Sequence, residues 1–396
     1  MISSRVRNLQ ESATLKINAI VNKMKQEGKT VYNLTAGEPD FAPPEAAKRA
    51  VIEAVEKNLS KYTPTPGILE LRELIAAKTN AQQPGISKPW KATDVVVTNG
   101  GKQAIFDVIF SLIDEGDEVI IPAPYWLSYP EQVKAAGGRT VVVQTSAKSG
   151  YRMTATDLER AITPRTKLLI LNSPSNPTGA IYSKAELQAL SRVLEKNPKV
   201  WILSDEIYDL IVFKEGAWTS FLGANPALRD RTITVNGLSK SGAMTGWRVG
   251  WSVTPETLTP ALIALQGHST SGICSLSQAA AVASLKLDAA DFEPQRLKYL
   301  HRRNLALEVL RKSVKIEVLE PEGAFYLFLE LKQALKENQD ANGFAEELLK
   351  ATQVAVVSGV DFGAPTCVRA SFATDDETLR RACEILVQYA DQNSKS

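Results

Sequence analysis

Seven short runs rich in β-branched and apolar residues recur between Asp94 and Val253, and helical patterns separate most of them. They are DVVVT (Asp94 to Thr98), EVIIP (Glu118 to Pro122), TVVVQ (Thr140 to Gln144), KLLILN (Lys167 to Asn172), VWILSD (Val200 to Asp205), TITVNG (Thr232 to Gly237) and RVGWSV (Arg248 to Val253). Near-continuous apolar character suits a strand buried on both faces, and segments such as KAELQALSRVLEKN (Lys184 to Asn197) carry apolar positions at helical spacing. The pattern predicts an α/β unit built on a mostly parallel sheet.

With 396 residues, 44% of them hydrophobic, the chain can bury more than one core. The large unit is expected over residues 40–287. A smaller α+β unit follows over 288–396, from the helical stretch at Phe292 to Ser313 through AFYLFLEL, VAVVSG and CVRASFA to a closing helix. Residues 1–39 form an N-terminal arm expected to contribute to the smaller unit.

Lys and Arg number 46 against 44 Asp and Glu, so the net charge of +2 offers no basic field for nucleic acid. Only two histidines, His268 and His301, argue against a His-ligated metal centre or a Ser-His-Asp triad, and no metal is expected. Three scattered cysteines (Cys274, Cys367, Cys383) make no disulfide framework and fit a reducing cytoplasm. The opening segment has no apolar signal core and no run reaches membrane-span length, so the expectation is a soluble, cytoplasmic protein.

Ligands of open α/β sheets bind beyond the carboxyl ends of the strands, and four such ends are unusual here. In TNGGKQAIF a strand runs through Gly100 and Gly101 into a helix, which suits a phosphate at the helix N-terminus and equally a plain tight turn. LLILNSPSNPTGA offers Asn176 between prolines, as a ligand-facing amide or as a loop that caps the next helix. SDEIYDLIVF puts Asp205 just past a strand, where it either ends the strand or pairs with a cationic ring nitrogen that Tyr208 could reach from the side. NGLSKSGAMTGWRVGW carries Lys240 and Arg248 on a glycine-containing loop, a pair that alone reads as solvated.

Taken in order, these segments resemble the class I aminotransferases, pyridoxal-phosphate enzymes of the aspartate aminotransferase fold (fold type I). The likeness runs from LTAGEPDF at Leu34 through KYTPTPG, GGKQAIF, PAPYW, NSPSNPTGA, SDEIY, SKSGAMTGWRVG and GAFYLF to VRASFAT at Val368. It is strongest to the bacterial aspartate aminotransferase subgroup, some of whose members also act on prephenate.

The resemblance implies pyridoxal 5′-phosphate as cofactor, aspartate and 2-oxoglutarate as substrates, ping-pong kinetics and a homodimer with shared sites. It implies that Lys240 bonds the cofactor aldehyde and moves the substrate proton, that Asp205 pairs with the ring nitrogen, and that Asn176 and Tyr208 bond the ring hydroxyl. Trp126 would stack on the ring, the Gly101 and Lys102 amides with Ser239 and Arg248 would hold the phosphate, and Tyr62 would reach the partner subunit's phosphate. Arg369 and the Gly37 backbone would grip the substrate α-carboxylate, where Trp126 and Asn176 also border the substrate. Lys102, with Ser12 and Thr14, would meet a distal carboxylate. One departure is Gly237, where many relatives carry a serine. The same fold also serves alanine, aromatic amino acids and kynurenine, and a catalytically silent ligand-sensing module is the alternative of another class.

Overall fold

A computed structural model describes residues 2–7, 9, 10 and 13–393, of which residues 4, 5 and 13–15 are described as backbone alone. After the helix Ala13–Gln26 comes a two-residue strand, β1 (Tyr32–Asn33). The seven apolar runs then fold as β2 (Val95–Asn99), β3 (Glu118–Ala123), β4 (Arg139–Gln144), β5 (Thr166–Asn172), β6 (Trp201–Asp205), β7 (Thr232–Gly237) and β8 (Val249–Val253). All seven join one sheet in the order β2-β8-β7-β6-β5-β3-β4. Pairing is parallel except around β8, which runs antiparallel to both β2 and β7.

Alternation along each strand divides the core between the two faces of this sheet. Val95, Val97, Leu169, Leu171 and Ile202 pack into one apolar cluster. Their neighbours Val96, Leu168, Ile170 and Leu203 pack into another. The helix Lys184–Glu195 covers the first of these faces, and its start is set locally. Ser183 Oγ accepts the Glu186 N–H at 3.3 Å while the Glu186 carboxylate accepts the Ser183 N–H at 2.8 Å.

The remaining strands are β9 (Glu317–Val318), β10 (Tyr326–Glu330), β11 (Val354–Ala355), β12 (Val357–Ser358) and β13 (Cys367–Ser371). An antiparallel sheet of order β12-β13-β10-β9 packs with the helices Glu293–Leu310, Ala341–Thr352 and Asp376–Gln392. VAVVSG, which reads as one strand, divides at the buried Val356. β11 pairs in parallel with β1, whereas β12 turns to β13, so the segment serves two sheets. The β1–β11 pair and the contact of Val21 with Leu349 and Ala355 tie the N-terminal segment to the C-terminal one. The second core also takes in Leu34, Tyr208, Ile211 and Phe213, which brings the small sheet beside the carboxyl end of β6.

Among the described residues no helix is long and apolar enough to cross a membrane.

Candidate active site

A cavity of about 590 Å³ opens where the carboxyl ends of β5, β6 and β7 face the small sheet. Gly37, Gly101, Lys102, Trp126, Asn176, Asp205, Tyr208, Ser239, Lys240, Arg248 and Arg369 all line it. These residues come from segments separated by up to 332 positions, between Gly37 and Arg369, and the packing of the small sheet beside the end of β6 brings them together.

At the floor, β6 ends on Asp205, which pairs in register with Asn172 of β5. The carboxylate is buried, and among the described residues it makes no ion pair. Oδ2 accepts the Tyr129 hydroxyl at 2.6 Å and Oδ1 accepts the Ile207 N–H at 3.2 Å. Burial pushes its pKa up to about 6, and these hydrogen bonds and the Lys240 charge oppose that rise. Asn172 spans the gap to the next loop, donating from Nδ2 to the Asp205 carbonyl at 3.0 Å and accepting the Asn176 N–H on Oδ1 at 2.7 Å.

Lys240 follows β7 and donates through Nζ to the Gly37 carbonyl. Desolvation and the nearby Arg369 bring its ammonium down to about 8, with Glu38 and Asp205 pulling the other way. Gly37 thus presents its carbonyl to the lysine, a contact the sequence reading did not foresee.

Gly100 precedes the helix Gly101–Leu112 with φ +83, and a Cβ there would lie 2.5 Å from a terminal nitrogen of Arg248. The turn therefore lets the guanidinium lie against the helix start, held by Nη1 to the Thr245 carbonyl at 2.7 Å and Nη2 to the Asn99 carbonyl at 2.9 Å. The Gln103 N–H bonds the Gly100 carbonyl at 3.1 Å, which leaves the Gly101 and Lys102 N–H groups at the helix start without a backbone acceptor among the described residues. Gly237 has a steric reason as well. A Cβ there would meet the Val249 carbonyl at 2.8 Å and Gly250 Cα at 2.9 Å, so the serine of many relatives has no room in this backbone.

Lys102 lies with Nζ 5.1 Å from the centre of the Trp126 ring, and desolvation followed by the Arg248 charge lowers its pKa. Across the cavity Arg369 is 2% exposed. It donates from Nη1 to Asn176 Oδ1 at 3.0 Å and from Nη2 to the Thr35 carbonyl at 3.1 Å, and its plane lies 4.4 Å from the Tyr326 ring centre. Among the described residues its buried Nε has no acceptor, and no carboxylate forms an ion pair with it. The Tyr208 and Tyr326 hydroxyls meet at 3.0 Å beside it. Among the described residues, four cations, Lys102, Lys240, Arg248 and Arg369, thus face two carboxylates, Glu38 and Asp205. That imbalance in a partly desolvated cavity fits an anionic ligand.

Three expected residues are not among the described lining of this cavity. Tyr62 stands outside the cavity and is 98% exposed. Ser12 lies outside the described residues, and Thr14 is described only as backbone in the helix Ala13–Gln26. The sequence reading missed Tyr129, Tyr326 and Thr35. Tyr129 had a signal in PAPYWLSYP, where it stands three positions after Trp126 at helical spacing, but its partner is 76 residues away.

A family model described as aminotransferase class I and II matches residues 29–386. Among curated proteins, the chain is 40% identical to a probable aspartate/prephenate aminotransferase of Rhizobium leguminosarum bv. phaseoli, covering 98% of each. It is also 40% identical to the aspartate/prephenate aminotransferase of Cereibacter sphaeroides, covering 96% of each. Among solved structures, the aspartate aminotransferase of Rhizobium meliloti superimposes with a TM-score of 0.93 at 38% identity over 100% of both chains. The Thermus thermophilus aspartate aminotransferase with maleate gives 0.92 at 38% identity, covering 98% of this chain and 99% of the other.

Proposed function

The chain belongs to the class I and II aminotransferases, and from that premise we propose that it moves the amino group of L-aspartate to 2-oxoglutarate and also acts on prephenate. Oxaloacetate and L-glutamate are the products of the first reaction. The names of its relatives support this choice, as does the dicarboxylate maleate in a structure of the same fold. The observation that carries the reading is Arg369, a buried guanidinium without a carboxylate, opening on the same cavity as Lys240 and Asp205. An amino acid's α-carboxylate supplies the missing anion in a geometry that a planar fork can grip.

Pyridoxal 5′-phosphate is the cofactor of this reading. The cationic surplus, the unpaired amides of the helix start and the uncompensated carboxylate of Asp205 fit its phosphate and its ring nitrogen. When bound, it supplies an aldehyde that bonds amines and an electron-poor ring that takes up the electrons released at the substrate Cα. Lys240 would hold it, with Asp205 at the ring nitrogen and Asn176 and Tyr208 at the ring hydroxyl. Trp126 would cover the ring face, and the backbone amides of Gly101 and Lys102, with Ser239 and Arg248, would hold the phosphate.

The chain's own groups then divide the work. With its pKa brought to about 8, the Lys240 amine is partly deprotonated near neutral pH, and Nζ can take a proton from the substrate Cα and return it. Asp205 stays ionised when a cationic nitrogen faces it and keeps the proton on that nitrogen. Arg369 fixes the α-carboxylate beside the Gly37 backbone, and Lys102 meets a distal carboxylate together with Ser12 and Thr14.

The same reading makes the protein a cytoplasmic homodimer, with Tyr62 completing the partner subunit's phosphate site. The nearly fully exposed Tyr62 supports a partner that covers it, and the stacked, exposed pair Phe106 and Phe110 is apolar surface that an interface could cover. A panel of amino donors with 2-oxoglutarate tests the proposal, with Lys240→Ala as the inactive control. Aspartate should give the highest kcat/KM. A higher value for alanine, an aromatic amino acid or kynurenine would replace the substrate assignment.

A further inference from the structure

A carboxylate that must keep its charge in a buried site needs donors, yet a cationic donor would neutralise the charge that the site requires. Asp205 meets this conflict with a phenol. Tyr129 is 2% exposed, and its hydroxyl reaches Asp205 Oδ2 at 2.6 Å. It does not line the main cavity, so it approaches the carboxylate from behind, leaving the cavity side to a ligand. Burial and the adjacent Asp205 charge hold the phenol's own pKa well above its ordinary value, so it remains a donor and does not surrender its proton.

Its placement is over-determined. The Tyr129 N–H bonds the Trp126 carbonyl at 3.0 Å, and the two rings meet edge to face with centroids 5.2 Å apart at 84°. Gln132, three residues on, donates from Nε2 to the Lys102 carbonyl at 3.1 Å and joins the helix Ser128–Ala135 to the start of the helix Gly101–Leu112. One short helix therefore carries the donor to Asp205, follows directly on the aromatic wall of the cavity and braces the helix start that presents its free amides.

We propose that Tyr129 is a positioning residue that fixes the Asp205 carboxylate with a neutral donor and leaves its negative charge available to a cationic group in the cavity. This rests on the reading of Asp205 as the partner of the cofactor's ring nitrogen, though the contact itself does not. A phenol is the side chain of choice: histidine or arginine at the same point could pair with the carboxylate as a cation, and phenylalanine would leave Oδ2 with no side-chain donor.

The test uses carbon-13 NMR of the cofactor-free protein with labelled aspartate, the Asp205 signal being identified by its loss in Asp205→Asn. In Tyr129→Phe the Asp205 titration midpoint should rise by roughly 1 to 2 pH units, as expected when a charged acceptor loses one hydrogen bond. Replacing Tyr129 by 3-fluorotyrosine, a more acidic phenol that keeps the fold's contacts, should move the midpoint below that of wild type. With cofactor added, Tyr129→Phe should lose roughly 10-fold or more in kcat while KM for the amino donor changes little. An Asp205 midpoint that stays put in both variants, or moves the same way in both, overturns the proposal. Should Tyr129→Phe fail to fold, the fluorotyrosine titration decides alone. Shifted midpoints in a protein with no aminotransferase activity would refute the functional reading and leave the role of Tyr129 standing.

Discussion

Replacing Arg369 by methionine keeps the bulk of the side chain and removes the charge and the fork. The guanidinium uses one bond to Asn176 Oδ1 at 3.0 Å and one to the Thr35 carbonyl at 3.1 Å, and its Nε is unpaired. The remaining donors are therefore available to a substrate carboxylate. Two hydrogen bonds to a charged group contribute about 3 to 6 kcal/mol together, which corresponds to roughly 10² to 10⁴-fold in kcat/KM. The loss should be the same for aspartate, alanine and an aromatic donor, since all share the α-carboxylate. Stability should change much less. Removing a buried cation that has no counter-ion relieves a desolvation penalty of several kcal/mol, and stranding two acceptors costs about 1 to 3 kcal/mol each, so the terms offset. Initial rates on three donors and thermal unfolding with and without maleate make the assay. Maleate should raise the Tm of the wild type and leave the variant's unchanged. Wild-type rates on any donor would refute the reasoning, and a loss confined to dicarboxylates would move Arg369 to the distal end of the substrate.

Lys102→Ser should weaken aspartate and glutamate by roughly 10 to 150-fold in kcat/KM and spare alanine, because only dicarboxylates lose a charge-assisted bond; an equal loss on all donors would place Lys102 at the cofactor phosphate. Glu206 is 1% exposed, and one of its oxygens has no partner, so burial, with Asp209 and Asp205 adding, pushes its pKa from 4.5 up to about 8. Between those values the native state holds a proton that the unfolded chain has released, so wild-type stability falls as pH rises through that window. Glu206→Gln does not titrate, and its advantage in urea unfolding should grow from pH 4.5 to 8, reaching about 3 kcal/mol at pH 7; a constant difference across that range would refute the burial argument. Mixing Lys240→Ala with Tyr62→Phe should restore activity through hybrid dimers with one unmutated site, whereas an active monomer in sedimentation would remove the shared-site reading.

The sequence by itself determined the elements and their ends, because those follow from local rules. Near-continuous apolar runs and helical spacing marked the seven strands of the large sheet to within a residue or two, and strand ends carried Asp205 and the Gly100 turn in plain view. What it could not determine is which end meets which. Asp205 and Glu206 are adjacent carboxylates with no local difference between them. Alternation at the end of β6 sends one to the cavity and the other back to Ser204 Oγ and the Phe221 N–H, at 2.8 and 3.0 Å, and only the packed sheet decides which. VAVVSG reads as one strand because its composition is uniform, and the partners on either side of Val356 divide it. Tyr129 on Asp205 and the Thr35 carbonyl on Arg369 join positions 76 and 334 residues apart. Such contacts leave no periodicity to read, since burial against a distant segment, and not the chemistry of the neighbours in sequence, selects them.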